Sequence, residues 1–416
     1  MNRAQHADGS RPRLAVIFSR FPVWNQIFAV NDFVELERAG FEIEIFTLRR
    51  EQEAIRQPEN DRFRNRVHYA FLLSPALLWE NLKAWCRPRT WRLFGAIVAG
   101  TRDRRMEFLK TLFLFPQAVY FARVMQQRGI RHIHAAWASY PATAAWIVSE
   151  ITSIPFSFSS HAYDIYMVRS LLREKIERSR FVVTCAETNR QALVDIAGRS
   201  ADGKIFVHRH GTDLERFRPS LAAAVRHEPG WRLLACGFLA NYKGFAFLIE
   251  ACALLRDQGR QFECVIIGRG PQEKYLLNRI RETRLTGLVR IIPPMPQTEL
   301  ARYYHRADVF IHPSVVTRTG NRDVIPNVLV EAMASGTPVI STRLSGIQEL
   351  IENGRNGILV PSADPQALAE AITCLMKDPV KRARLAQAAQ RTVAQAYDRR
   401  KNAEGLIRTF MAHVAS

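Results

Sequence analysis

The chain is poor in acid. Its 39 Asp and Glu stand against 59 Lys and Arg, a formal net charge of +20 at pH 7 over 416 residues. So strong a positive field favours anionic partners: nucleic acid, acidic lipid surfaces or phosphorylated substrates. Cysteine is scarce as well. Cys86, Cys185, Cys236, Cys252, Cys264 and Cys374 are scattered, with no C-x-x-C and no Cys/His cluster. This pattern argues for reduced thiols in a cytosolic protein and against a disulfide framework or a structural zinc site. No run of about 20 uninterrupted apolar residues exists, so no spanning helix is expected. The nearest stretch, 106–125, is broken by Glu107, Lys110, Pro116 and Arg123. The polar start, MNRAQHADGSRPR, has no apolar segment behind it of the kind a signal peptide needs. With 47% hydrophobic and 24% charged residues, long disordered tracts are not expected beyond the polar first residues.

What is present is alternation. LAVIF within 13–19 reads as a strand, residues 27–39 as a helix closed by Gly40, and FEIEIFTL as a second strand. Short β and α units then recur through KIFVHRHGTD at 204–213. Residues 217–230, with two prolines, a glycine and no clear period, form a seam. The alternation restarts at WRLLACG, and from 364 onward the chain reads as almost all helical. The division expected is a polar tail 1–12, a Rossmann-like domain 13–222, a second Rossmann-like domain 223–390 and a C-terminal helix 391–416, with the last helices packing back toward the first domain. The fold class is α/β: two parallel-sheet domains facing a cleft. In such sheets ligands sit beyond the carboxyl ends of the strands, so the loops after strands matter most.

Three of those loops carry chemistry. In RDVIPNVLVEAMASGTPVI, Pro326 predicts a helix start and Gly336 its end. Asp323 then falls just before the helix and Glu331 about a turn and a half inside it. A helix N-terminus with unpaired amides suits phosphate, and an acid further along suits a sugar diol. The same spacing is met by a helix cap and a surface acid. In CGFLANYKG, Lys243 can contact a diphosphate as a point charge, and Gly244 permits a close backbone approach. IIGRGP adds Gly268 and Arg269 in a second glycine loop. A separate segment, 81–110, interleaves Lys83, Arg87, Arg89, Arg92, Arg102, Arg104, Arg105 and Lys110 with Trp85, Trp91, Phe94 and Phe108. It reads as a site for an anionic membrane surface or as a solvated basic face over core aromatics. No nucleic-acid recognition module accompanies it, and no nucleic-acid partner is expected.

The blocks CGFLANYKG, IIGRGP, ADVFIHPS, D-x-x-P-N-V-L-V-E-A-M-A-S-G-T-P-V-I and SGIQELIENGRNGILVPSADP resemble glycosyltransferase family 4, which has the GT-B fold. HIHAAWASYPATAAWIVSEITSIPFSFSSHAYDIY (132–166) and HGTDLERFRP (210–219) look like its exopolysaccharide branch, the colanic-acid and amylovoran enzymes. The resemblance covers roughly residues 13–410. It implies a retaining hexosyltransferase that moves a sugar from a UDP- or GDP-linked donor, bound mainly by the second domain, to an acceptor glycan. That acceptor is expected on a polyprenyl diphosphate at the inner face of the cytoplasmic membrane, with the protein cytoplasmic and peripherally attached. Lys243 falls on the lysine that contacts donor phosphates, Glu331 on the acid that holds the nucleotide ribose, and Asp323 on the acid near the transferred sugar, usually Glu. Val328 and Leu329 fall where backbone amides meet the donor, beside Asn327. His161 falls on a cleft-lining histidine of the first domain; alone it reads equally as a buried core histidine. Catalytic roles are thus expected for Asp323, His161 and Lys243, and donor contacts for Lys243, Gly244, Gly268, Arg269, Asn327, Val328, Leu329 and Glu331.

No D-x-D triplet is present, so no metal and no cofactor are expected. The chain departs from the family pattern in three places. Phe238 replaces an arginine, with Arg269 or Arg322 as substitutes for its charge. Asp323-Val324 replaces Glu-Gly. FPVWNQIF replaces a small-polar first loop. Rival readings are an epimerase or phosphorylase on the same fold, and a membrane-bound scaffold with impaired catalysis.

Overall fold

The computed structural model describes residues 11–414, except 24–25, 52–56, 103–104 and 220–229. The polar tail up to residue 10, part of the FPVWNQIF loop, Arg104 in the basic segment and most of the 217–230 seam lie outside the described residues.

The chain divides into two compact units. One comprises residues 1–208 with 403–416, the other 209–402. In the first, a seven-stranded sheet runs β3-β2-β1-β4-β5-β6-β7, with β1 Arg13–Phe21, β2 Glu42–Arg50, β3 Val67–Tyr69, β4 His132–Ala135, β5 Phe156–Ser160, β6 Val182–Thr184 and β7 Ile205–Val207. Every pairing is parallel, for example Val16 opposite Ile45 and Val183 opposite Phe206. In the second, a six-stranded parallel sheet runs β10-β9-β8-β11-β12-β13: β8 Trp231–Cys236, β9 Phe262–Ile267, β10 Val289–Ile292, β11 Val309–His312, β12 Val339–Thr342 and β13 Ile358–Val360. Helices cover both faces of a parallel sheet, so its strands are apolar nearly throughout. Leu233, Leu234 and Ala235 in β8, and Val309, Phe310 and Ile311 in β11, are buried in succession for that reason.

Two details move the expected domain limits. Residues 209–219 belong to the second unit, because Phe217 packs against Tyr304 at 5.9 Å and Thr212 N–H donates to Tyr397 O at 2.8 Å. At the other end, 391–416 is not one helix. A helix Pro379–Ala396 stops at Tyr397, and a last helix, Arg399–Val414, follows. From Ala403 onward that helix is part of the first unit. Its buried Leu406, Ile407, Phe410 and Val414 recur at helical spacing, and Phe410 meets Phe41 and Phe181 edge-on at 6.1 and 5.1 Å.

The strand order of the second sheet reverses between β8 and β11. At such a point the helices leave toward opposite faces and a crevice opens at the strand ends.

Candidate active site

Lys243 follows β8 in a single 3-10 turn, Asn241–Lys243, that ends on Gly244 at φ 68°. A side chain at 244 would place its Cβ 1.9 Å from Pro313 O. The close approach that glycine permits is therefore to the loop after β11, and it draws Lys243 to the end of that strand. Lys243 Nζ donates to Asp323 Oδ1 at 2.8 Å. Asp323 Oδ2 accepts from Ser314 Oγ at 2.6 Å and lies 2.8 Å from His312 Nε2. The carbonyls of His312 and Ser314 are in turn held by Ser341 Oγ at 2.7 Å and Thr342 Oγ1 at 2.6 Å. The strand ends of β11 and β12 thus fix the loop that carries Asp323's partners.

Burial alone would raise the Asp323 carboxyl, but Lys243 and His312 beside it hold it well below the ordinary carboxylate range. Burial alone would lower Lys243; Asp323 outweighs it and raises the ammonium. Burial keeps His312 low, hence neutral, so its Nε2–H serves as donor to Asp323. Lys243 has three donors and spends one on Asp323. Its ammonium remains able to meet an incoming phosphate.

The helix predicted from Pro326 is Asn327–Ala334, with Pro326 as N-cap and Gly336 at φ 76° just beyond its end. One expected donor contact needs correction. The Leu329 amide already donates to Pro326 O at 3.0 Å, and its side chain is fully buried in the core. Among the described residues, the amides left without an internal acceptor at this helix start are those of Asn327 and Val328. Val324 turns inward, 5% exposed, against Gly346. Its branched side chain therefore occupies the core side of the loop.

Glu331 lies one turn into that helix and is 5% exposed. Gln297 Nε2 donates to Oε1 at 2.8 Å and Tyr304 OH to Oε2 at 2.9 Å; Gln297 is held from behind by Arg216 Nη1 at 2.6 Å. Burial pushes the carboxyl up to about 7, against the pull of those two hydrogen bonds. Each carboxylate oxygen keeps a second lone pair for a ligand hydroxyl. Cys236, at the end of β8, is raised by burial and by the Glu331 charge and lowered by Lys243, so both groups act on one buried thiol.

The glycine loop after β9 has a structural role. A Cβ on Gly268 would sit 2.0 Å from Gly237 O. Leu239 N–H donates to Arg269 O at 3.0 Å. The loops after β8 and β9 therefore interlock through their backbones, and the Arg269 side chain is left exposed. Arg322 Nε donates to Gly320 O at 3.1 Å. Phe238 is 38% exposed where a cation was expected.

His161 belongs to the first unit, directly after β5. Its amide donates to Asp164 Oδ2 at 3.1 Å, and its half-buried ring lies 5.5 Å from both Phe28 and Trp137. Asp164 also accepts from the Ser139 amide at 3.0 Å. The loops after β4 and β5 are thereby tied together.

Among the sequence-predicted residues, the structure joins Lys243 to Asp323 and sets Asn327, Val328 and Glu331 on the adjoining helix. Sequence reasoning missed His312, Ser314, Gln297 and Tyr304. His312 and Ser314 had a signal, since they end a strand in the quoted block ADVFIHPS. Gln297 and Tyr304 had none.

Residues 221–392 match the glycosyl transferases group 1 family. That match falls within the second unit, 209–402. AmsK of Erwinia amylovora, an amylovoran biosynthesis glycosyltransferase, is 43% identical to the chain over 166 residues. WcaL of Escherichia coli K12, named for colanic acid biosynthesis, is 40% identical over 171. Each match spans about two fifths of this chain and of the relative. Sucrose-phosphate synthase of Thermosynechococcus elongatus superposes with a TM-score of 0.74, covering 97% of this chain and 99% of its own at 19% identity. HepE of Anabaena, solved in complex with UDP-glucose, superposes with a TM-score of 0.73, covering 96% and 99% at 18% identity. Together with the two parallel sheets, these likenesses establish the GT-B fold. Within the matched residues the Lys243–Asp323 pair and the Asn327 helix start stand at the topological switch of the sheet.

The second unit carries a pH signature. In the folded chain Glu331 holds its proton up to about 7, against 4.5 for a free carboxyl. Between those values the folded state binds a proton that the unfolded state has released, so stability falls as pH rises through that window. The loss is roughly 3 kcal/mol in total. Urea unfolding of wild type and Glu331→Gln at both ends of the window should show Glu331→Gln gaining on wild type as pH rises. A difference that stays constant would place the Glu331 pKa outside the window.

Proposed function

We propose that the protein is a glycosyltransferase of exopolysaccharide synthesis that moves a hexosyl group from a nucleotide sugar to a lipid-linked glycan with retention of configuration. The observation that carries this reading is the meeting of Lys243, the Asn327–Val328 amides and Glu331 at the switch point of the second sheet. A diphosphate needs fixed positive charge, and a ribose diol needs a buried acceptor. The relatives' roles in amylovoran and colanic acid synthesis support the product class. The UDP-glucose complex of HepE supports a uridine donor on this fold.

In the step itself, the bond between the anomeric carbon and the diphosphate oxygen breaks, and a bond to the acceptor oxygen forms on the same face. The acceptor proton passes to the leaving phosphate. Negative charge grows on that phosphate, and preorganised donors aimed there lower the barrier. Lys243 and the helix start supply them, so the reaction is expected to proceed in EDTA. Asp323 aims Lys243, with His312 and Ser314 holding Asp323 in turn. His161 is the residue of the first unit to which the resemblance gives an active-site role. The acceptor is a growing chain on a polyprenyl diphosphate at the inner face of the cytoplasmic membrane.

A screen of UDP, GDP and their sugars by thermal shift tests the donor site. One nucleotide should raise the melting temperature, at a saturation that follows RT ln(1 + [L]/Kd). Turnover of that donor on a lipid-linked acceptor, with and without EDTA, then tests the transfer. Binding without transfer to any acceptor would favour an impaired scaffold. Donor conversion with no acceptor present would favour an epimerase.

A further inference from the structure

The first unit turns an apolar face outward. Helices Pro75–Trp85, Pro88–Ala99 and Arg105–Gln127 pack together. Asn81 Nδ2 donates to Pro116 O at 3.0 Å, Arg123 pairs with Glu80 at 2.7 Å, and Trp85 rests on Phe94 and Phe115 at 5.1 and 5.5 Å. Those inward aromatics complete the cluster's core. On these helices and the turn before them, Leu73 is 89% exposed, Leu78 56%, Trp79 55%, Leu82 58%, Trp91 60% and Phe113 63%. Isolated exposed apolar residues are ordinary, but a concentration of large ones on three packed helices marks a contact surface.

The charge around them identifies the occupant. Residues 71–113 hold eight Lys and Arg against three acids. Lys83, Arg87, Arg89, Arg92 and Arg105 are all exposed. Two of the three acids are unavailable to a partner: Glu107 is buried, and Glu80 is engaged by Lys83 and Arg123. Lys83 Nζ lies 5.1 Å from the centroid of the exposed Trp79 ring, and exposed Trp91 donates its Nε1–H to Trp85 O at 2.9 Å. Indole rings flanked by ammonium and guanidinium groups suit the boundary between acyl chains and headgroups. No described helix is long and apolar enough to cross a membrane. We infer that this face docks the protein peripherally on an anionic bilayer, with Leu73, Trp79, Trp91 and Phe113 entering the interface and the surrounding cations meeting lipid phosphates. The surface is wider than the basic segment 81–110, and two of that segment's aromatics, Trp85 and Phe94, point away from it.

Flotation of the full chain with vesicles tests the inference. Wild type should float with phosphatidylglycerol-containing vesicles at low salt, less so at high salt, and hardly at all with pure phosphatidylcholine. Leu73→Glu with Phe113→Glu should weaken flotation by about tenfold or more, because apolar insertion and charge act together. Both sites are exposed, so the melting temperature should not change. Should it fall, brominated lipids decide on a gentler variant: they should quench wild-type tryptophan emission, and Trp79→Phe with Trp91→Phe should remove most of that quenching. Undiminished flotation of the Glu variant, equal binding to neutral vesicles, or quenching that survives the Phe variant would overturn it. So would a dimer, seen by light scattering, that the Glu variant dissolves in a protein that does not float.

Discussion

Lys243→Met is expected to raise the dissociation constant for the donor nucleotide about 10- to 100-fold, the worth of one hydrogen bond to a charged group at about 1.5–3 kcal/mol. Turnover should fall further, by about 100- to 1,000-fold, because charge on the leaving phosphate is largest at the transition state. The same change strands a buried carboxylate. Asp323 keeps His312 and Ser314 but loses its only cationic partner among the described residues. Breaking a buried pair from one side costs about 3–5 kcal/mol. Asp323 contributes stability above its unfolded pKa, lost as pH falls through its depressed value. Lys243 contributes stability below its unfolded pKa, lost as pH rises through its raised value. The stability loss in Lys243→Met should therefore be flat from about pH 5 to 9. Asp323→Asn added to Lys243→Met should restore much of the stability and none of the binding. That separation is the decisive result, since stability is a property of the pair and phosphate affinity of Lys243 alone. A Lys243→Met protein that melts early yet binds nucleotide at wild-type strength would remove the lysine from the donor site.

Glu331→Gln is expected to remove most of the preference for ribose over 2′-deoxyribose. Above pH 7, where wild-type Glu331 is ionised, its buried carboxylate accepts from the diol, and loss of one hydroxyl should cost about 10- to 100-fold in affinity. Glutamine keeps the shape and can still accept from Tyr304, but it offers the diol a weaker acceptor. The ratio of dissociation constants for the ribo- and deoxyribonucleoside diphosphates should shrink to about two- to threefold, the worth of a weak neutral hydrogen bond at about 0.5 kcal/mol. Isothermal titration of both nucleotides on both proteins measures it. An unchanged ratio would assign Glu331 to the internal network of Gln297 and Tyr304 and to nothing else. Glu331→Ala is the poorer probe, because it also leaves the buried Tyr304 hydroxyl without its acceptor.

The alternation of the chain was legible because parallel strands are apolar on both faces and the helices between them are punctuated. Pro326 and Gly336 bracket their helix within one residue of the expected position. Lys243 and Asp323 were legible as loop residues, yet 80 positions separate them, and their pairing follows from the β8–β11 crossover, which no local pattern encodes. His312 could have been found by asking which polar side chain ends an otherwise apolar strand. Gln297 and Tyr304 look like ordinary helix residues, and only the fold places them under Glu331. Leu329 was read as a donor contact because its position in the block implied one; the capping carbonyl of Pro326 had claimed its amide. The aromatics of 81–110 were legible as a group, but which ones face inward depended on how three helices pack.

The last helix returns to the first unit, and this sets the order of events during synthesis. Phe410 and its neighbours fill a core whose other walls, Leu14, Val16 and Phe41, precede it by more than 300 residues. A nascent chain cannot close that core until residues 403–414 have left the ribosome. The N-terminal unit, made first, is therefore finished last, after the 209–402 unit has already had the chance to fold.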